Sequence, residues 1–431
     1  MKEVIPNPRP GRSGPAPQPA RKSIIFPVII LAALLVIGVA AFLALREAPP
    51  PPAPAPQTGI SPEPQPAAPA MPPVTPGTSI PPRRNAPAAA QPAVSTPSLP
   101  PDDRTPRQLL ASLTQIDGKT PVTPDQAQAW KLALQQLVRQ GPAAVPGIQD
   151  FLAQNQDTNY AGVAGAGQLG YPSLRSGLIS ALAQIGGPEA TAAMLQTLQS
   201  STIPSDIADL AKGMGDAANG QYQQEFLAAV RQQLFLAQQP QASRDTDVGP
   251  LFQVLAAQAA GGAPVAPDIQ QYGAAWAFYS AITLARLPDG AGVPALAQMA
   301  QTPGAGQAIA MDSLAQMALA NPQAMNTLLD TAKNGASDSV LASVAPYLAG
   351  RQFVLSSAAD QIPAGAPIQS IHMNAGNQNF LSYQVSNPAL AVQQIALVDQ
   401  LLQVIPPANV AAIQALREQK TALSAMPGKQ P

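Results

Sequence analysis

The chain has 431 residues, a formal net charge of −1, 51 prolines and no cysteine, and only 11% of its residues are charged. Without cysteine there are no disulfides, no Cys-ligated zinc, no iron–sulfur cluster and no thiol nucleophile. A net charge so near zero gives no reason to expect nucleic acid as a partner, since phosphate neutralisation needs a basic face; the lack of cysteine suits an oxidising compartment.

Residues 1–22 form a basic tail, with Lys2, Arg9, Arg12, Arg21 and Lys22 against one acid, Glu3. Residues 23–45 read as a transmembrane helix. The run from Ile24 to Leu45, IIFPVIILAALLVIGVAAFLAL, carries no charge. As a helix it reaches roughly 33 Å, enough for a hydrocarbon core of about 30 Å. Pro27 falls in its first turn, where a missing N–H costs little. A cleaved signal peptide has a shorter core, about 7–15 residues, and a small-x-small site behind it. Here the run ends in Leu43-Ala44-Leu45-Arg46, so the reading is an uncleaved signal anchor. The positive-inside rule puts the N-terminus in the cytoplasm. The expected location is a bacterial inner (cytoplasmic) membrane, single-pass, with the C-terminal domain periplasmic or otherwise extracytoplasmic.

Residues 46–105 are rich in proline: EAPPPPAPAPQ, then SPEPQPAAPAMPPVTPG, then SLPPDDRTP. Proline fixes φ and removes donors, so this stretch reads as a disordered linker that favours polyproline II. Its upper reach is about 180 Å. It serves either as an arm or as a tether with no length requirement.

Residues 106–425 carry the fold. From Asp102 onward there are 21 acidic and 15 basic residues. Proline recurs behind capping residues, at Thr105-Pro106, Thr123-Pro124, Thr302-Pro303, Asn321-Pro322 and Asn387-Pro388. Proline suits the first helical position, and a polar residue before it can cap. Gly141, Gly186 and Gly350 stand where a left-handed C-cap falls. Between these marks the apolar residues repeat with the helical period: Ala129, Leu132, Ala133, Leu137 and Val138; then Val145, Ile148, Phe151 and Leu152; then Leu174, Leu178, Ala181, Leu182 and Ile185. The pattern predicts short antiparallel helix pairs. One pair cannot bury its own stripe, whereas stacked pairs can.

The segment LALQQLVRQGPAAVPGIQDFL resembles the HEAT-type repeat, in the PBS-lyase-like variety with a G-x-x-AVP-x-L core. AITLARLPDGAGVPALAQMA, from Ala281 to Ala300, is similar to it. Arg175–Leu198 and Asp312–Ala332 are weaker copies, and Pro204–Pro267 fits poorly. The resemblance covers about half of the segment and implies an all-α, right-handed α-solenoid of HEAT-like helix pairs that binds protein. It implies no particular partner.

Residues 351–386 break the helical pattern as a non-repeat insertion. Phe353-Val354-Leu355 and Phe380–Val385 look extended, as a loop with a small hairpin over the end of the solenoid or as a functional loop. Helices are expected to resume at Asn387–Val404 and Pro407–Ser424.

Four features tempt a functional reading. Gly165-Ala166-Gly167-Gln168-Leu169-Gly170 spells G-x-G-x-x-G, but no strand precedes it and no βαβ pattern surrounds it, so it reads as a loop rather than a cofactor site. Asp245-Thr246-Asp247-Val248-Gly249 hints at a calcium loop, but Gly comes too early and Ala256 stands where a Glu is needed, so a polar turn fits better. His372 is the only histidine, which excludes a His-based metal cluster, and no G-x-S-x-G accompanies it. Tyr272, Trp276 and Tyr279 stand at i, i+4 and i+7 beside Phe278. Such a stripe is commonly core, but Trp and Tyr also dominate binding hot spots, and these three residues are the candidate partner surface.

The functional expectation is a non-enzymatic, membrane-anchored scaffold that presents a helical-repeat surface to a protein partner, with no catalytic residue, cofactor or metal. The alternatives are a cell-wall or polysaccharide binder that stacks sugars on exposed aromatics, and a non-catalytic subunit of an envelope complex.

Overall fold

The computed structural model describes residues 103–218 and 220–426. They belong to the second of two compact units, Ser95–Pro431. The basic tail, the 24–45 span and nearly all of the proline-rich linker lie outside the described residues. Among the described residues no helix is long and apolar enough to cross a membrane, against the transmembrane, signal-anchor and inner-membrane expectations. Those assignments are corrected to that extent: no described helix is an anchor.

The described residues are mostly helical. The first helices are α1 (Pro106–Leu113), α2 (Pro124–Arg139), α3 (Val145–Leu152), α4 (Leu174–Ile185), α5 (Gly187–Ser200), α6 (Pro204–Ala218), α7 (Gln223–Ala237) and α8 (Gly249–Ala260). Then come α9 (Ala266–Gln271), α10 (Ala277–Ala285), α11 (Val293–Gln301), α12 (Ala305–Met317), α13 (Pro322–Lys333) and α14 (Asp338–Leu348). Strands β1 (Arg351–Leu355), β2 (Ile368–Met373) and β3 (Gln378–Gln384) follow, and α15 (Ala391–Val404) and α16 (Val410–Ser424) end the series.

Local chemistry explains most of the boundaries. Thr105 and Thr123 form capping boxes with Gln108 and Gln126, which satisfies two otherwise orphaned groups at each helix start. Asn321 accepts hydrogen bonds from Gln323 N and Ala324 N. In QLVRQGPAAVPGIQDFL, α2 ends and Gly141 turns the chain with φ of 59°. A single 3₁₀ turn, Gly141–Ala144, then leads into α3. Pro142 and Pro146 each fall in the first turn of their own helix, where no N–H is needed. Two expectations shift. Thr302 ends α11 and α12 starts at Ala305, behind Gly304. Asn387 caps a 3₁₀ turn, Pro388–Leu390, so α15 begins only at Ala391.

The helices pack in two rows. In the first, α2, α4, α6, α8, α10, α12, α14 and α16 each touch the next. In the second, α1, α3, α5 and α7 do the same, as do α9, α11, α13 and α15. Between α7 and α9, Arg231 reaches Asp268 through two hydrogen bonds of 2.9 and 2.7 Å. The stretch that fits the repeat motif poorly, Pro204–Pro267, supplies α6, α7 and α8 and continues the first row without a gap. The buried apolar residues of the two rows form one cluster from Leu109 to Leu416.

The all-α expectation is corrected by an antiparallel sheet of order β1-β3-β2. Its place also differs from the one expected. It does not close the end of the stack. Strand β1 packs across four first-row helices, α8, α10, α12 and α14. Phe353, Val354 and Leu355 are all buried because helices lie beneath the strand and the 3₁₀ turn Ser356–Gln361 packs against it. A chain of rings carries this contact: Phe278 stacks on Phe380, Phe380 meets Phe353 edge to face, and Phe353 lies tilted against Tyr347, with centroids 5.2, 5.5 and 4.6 Å apart.

Candidate interaction surface

The three aromatic residues marked by spacing do not share a helix. Helix α9 ends at Gln271 and α10 begins at Ala277, so Tyr272 and Trp276 flank the junction. Tyr272, Trp276 and Tyr279 are 3%, 5% and 0% exposed. Trp276 and Tyr279 lie against Phe252, with ring centroids 6.3 and 5.7 Å away, and Tyr272 lies 6.1 Å from Trp276. The candidate partner surface is therefore corrected: its rings are core. The physical reason is the helix break, which folds two short segments around one apolar centre instead of laying a stripe along one exposed face.

The cluster does meet a strand, but it is the chain's own. A Cβ on Gly376, in the β2–β3 turn, would lie 2.9 Å from Trp276 Cδ1, so this turn rests on the indole edge as only glycine allows. Tyr279 donates its hydroxyl proton to Asp247 Oδ1 at 2.6 Å and accepts from the Asn379 N–H at 2.5 Å. Burial, reinforced by the Asp247 carboxylate, pushes the Tyr279 phenol well above its ordinary pKa. Gln378 Oε1 accepts from Phe278 N at 3.0 Å and Tyr279 N at 3.1 Å. Those N–H groups belong to the first turn of α10, which has no cap of its own.

Asp245–Gly249 takes part in the same dock and shows no calcium-loop geometry. Asp247 Oδ1 also accepts from Gly249 N at 2.8 Å, and Asn377 Nδ2 donates to Asp245 O at 2.6 Å. His372 is exposed, with its Nδ1 2.7 Å from Asn379 Oδ1. Asn379 Nδ2 reaches Asp247 Oδ2 at 3.4 Å. The histidine thus ends a polar chain that fixes the sheet, with no nucleophile in hydrogen-bond contact with it among the described residues.

The glycine-rich stretch 165–170 sits in a loop that packs against α2, at the start of the first row. Ala166–Leu169 is a 3₁₀ turn with Ala166 and Leu169 buried. The loop is tied by Val122 N to Ala164 O at 2.9 Å and Tyr160 N to Pro172 O at 2.8 Å. Tyr160 and Tyr171 lie against Trp130. Nothing here resembles a dinucleotide cradle, since no strand leads into the turn.

Between this loop and the sheet, the first row stays open. A cavity of about 520 Å³ lies among α6, α7, α8 and the Ser356–Gln361 turn, lined in part by Asp209, Lys212, Tyr222, Gln253, Gln258 and Asp360. Burial pushes the Asp209 carboxyl above its ordinary pKa, against a hydrogen bond from Ser176, and Asp206 adds to the rise. Mixed donors, acceptors and apolar surface of this kind suit a polypeptide or a small polar ligand.

Sequence reasoning passed over the buried pair Arg175–Asp206. Arg175 is fully buried; its Nε and Nη2 donate to Asp206 Oδ2 at 2.9 and 2.5 Å, and its Nη1 donates to Leu152 O at 2.8 Å. Ser201 Oγ donates to the same carboxylate oxygen at 2.6 Å. The pair links α4 to α6 and the end of α3. Its only trace in the sequence is one charge set inside the apolar run LRSGLISALAQI. Among the described residues, no group of three or more His, Asp or Glu side chains is placed to hold a metal ion.

No protein-family model matches the chain, and no curated protein does. One solved structure, described as "Computational Design of Self-Assembling Cyclic Protein Homooligomers", is similar over 74% of this chain and 91% of that chain, with 14% identity and a TM-score of 0.11. A likeness that slight does not amount to a shared fold.

Proposed function

We propose that the described region is an α-solenoid of helix pairs and serves as a non-catalytic scaffold that binds protein. The observation that carries this reading is the packing of every first-row helix on the next, from α2 to α16. Stacks of this kind bury one continuous core and leave extended surfaces for partners. The open stretch of the first row, around Asp209, Lys212, Gln253 and Gln258, is the surface the reading assigns to the partner. The sugar-binding alternative loses its support, because the aromatics it would use are buried.

The test is photo-crosslinking of the full chain in its own cell, with probe residues at positions 212, 253 and 258 and a control at Val392. The reading expects one discrete protein adduct at the three groove positions and none at the control. If the groove positions give no protein adduct while the chain is folded and expressed, the scaffold reading fails at this surface.

A further inference from the structure

The two edges of the sheet meet different fates. Strand β1 lies on helices α8, α10, α12 and α14, and at its centre the outward backbone groups of Phe353 are taken up by side chains. Phe353 N donates to Gln316 Oε1 at 3.0 Å, and Arg286 Nη1 donates to Phe353 O at 3.5 Å. Strand β2 has no such cover. Among the described residues, nothing but β3 hydrogen-bonds the backbone of residues 368–373. Ile368, Gln369, Ser370 and His372 are all exposed, and Ile368 is 56% exposed.

An open edge of this kind is normally guarded by lysine, an inward charge or a bulge. Strand β2, Ile-Gln-Ser-Ile-His-Met, has none of these. Residues 361–398 contain no Asp, Glu, Lys or Arg. The row of backbone donors and acceptors on β2 is matched only by another extended strand, and the edge carries no charge with which to select a particular foreign one. Pairing with its own copy is free of like-charge repulsion and hides Ile368.

We propose that β2 pairs edge to edge with β2 of a second copy, antiparallel across a two-fold axis, so that two three-stranded sheets become one of six strands. Such a contact is isologous. It stops at two copies, because β1, the other edge of each sheet, is packed across four helices and has the backbone of Phe353 bonded to Gln316 and Arg286. The inference goes beyond the scaffold reading and does not depend on it.

The chain has no cysteine, so one introduced thiol is unique. Ile368, Ser370 and His372 share the face opposite Ile371 and Met373, which lie against the core. The experiment compares Ile368→Cys, Ser370→Cys and His372→Cys in the full chain under mild oxidation, with Val410→Cys on α16 as an exposed control. The proposal expects a covalent dimer dominated by one β2 position and at least tenfold less at the control. It also expects a mass of two chains in sedimentation, and Ser370→Lys to weaken self-association at least tenfold at low salt while the circular dichroism spectrum is unchanged. A single-chain mass at every concentration measured overturns the proposal, as does a control that crosslinks as readily as β2. If the purified chain is monomeric and the β2 cysteines instead trap a different protein in cell extract, the edge belongs to a foreign strand and the proposal is wrong.

Discussion

Gln378 caps a helix that begins a hundred residues before it in the chain: its Oε1 accepts the backbone N–H of Tyr279 at 3.1 Å and shares the same oxygen with Phe278 N. A strand residue therefore completes the start of α10, and α10 in turn fixes where β3 lies. Removing this side chain leaves two N–H groups without their acceptor, one buried at Tyr279 and one half-buried at Phe278. Gln378→Ala is expected to cost about 1–3 kcal/mol. Hydrogen exchange should locate the damage: amides of β3 and of the first turn of α10 exchange faster, while those of α2 and α4 do not change.

Both tryptophans of the chain, Trp130 and Trp276, are buried at 2% and 5% exposure. Their emission is expected at short wavelength, with little quenching by acrylamide in the folded protein and strong quenching in urea. Trp276→Ala empties space among Phe252, Tyr272 and the Gly376 turn and is expected to cost about 3–5 kcal/mol. Ready quenching of the native protein would show that one of the indoles meets solvent, contrary to the packing described.

The Arg175–Asp206 pair gives an asymmetric expectation. Asp206→Ala leaves a fully buried guanidinium without its carboxylate and should destabilise by about 3–5 kcal/mol. Replacing both partners, as in Arg175→Met with Asp206→Leu, should cost less than the single change, because no buried charge is left alone. Urea unfolding of the three proteins decides this by the order of their midpoints.

Asp312 is held in α12 at 7% exposure, with Ser343 Oγ donating to its Oδ1 at 2.8 Å. Burial pushes its pKa from 3.8 to about 7, opposed by the Ser343 hydrogen bond and by Arg351. The folded state therefore holds a proton that the unfolded state has lost between about pH 4 and pH 7. Stability from this group is fully present below about pH 4 and falls as pH rises through 7, by up to about 4 kcal/mol. Asp312→Asn keeps an acceptor for Ser343 and should flatten that slope, which denaturant titrations at pH 4.5, 6 and 8 will read.

The helix boundaries were legible because short-range chemistry makes them. Thr105 and Thr123 cap where a Thr-Pro pair says they should, and Gly141 turns where the pattern stops. The fate of Tyr272, Trp276 and Tyr279 was not legible. Their spacing is that of one helix face, yet a break at residues 272–276 puts them on two segments, and periodicity alone does not see a break without a proline or an obvious cap. The dock of the sheet was hidden for a different reason. The contacts of Gln378 with Phe278 and of Asn379 with Tyr279 span about a hundred residues, and one sequence holds no signal for pairings at that distance. The extended character of Phe353–Leu355 and Phe380–Val385 was visible; that these segments would lie across the first row was not.

The way β1 crosses α8, α10, α12 and α14 has a mechanical consequence. In a plain stack each helix pair feels only its neighbours, so the array bends like a spring and can melt from one end a unit at a time. A strand bonded through Phe353 to Gln316 and Arg286, with its ring against Tyr347, adds a second tie across α10, α12 and α14 to the contacts each makes with the next. It acts as a batten nailed across the slats. The half from α8 to α14 should therefore be stiff and lose its structure as a block, and whatever bending the stack permits falls to the half that has no batten.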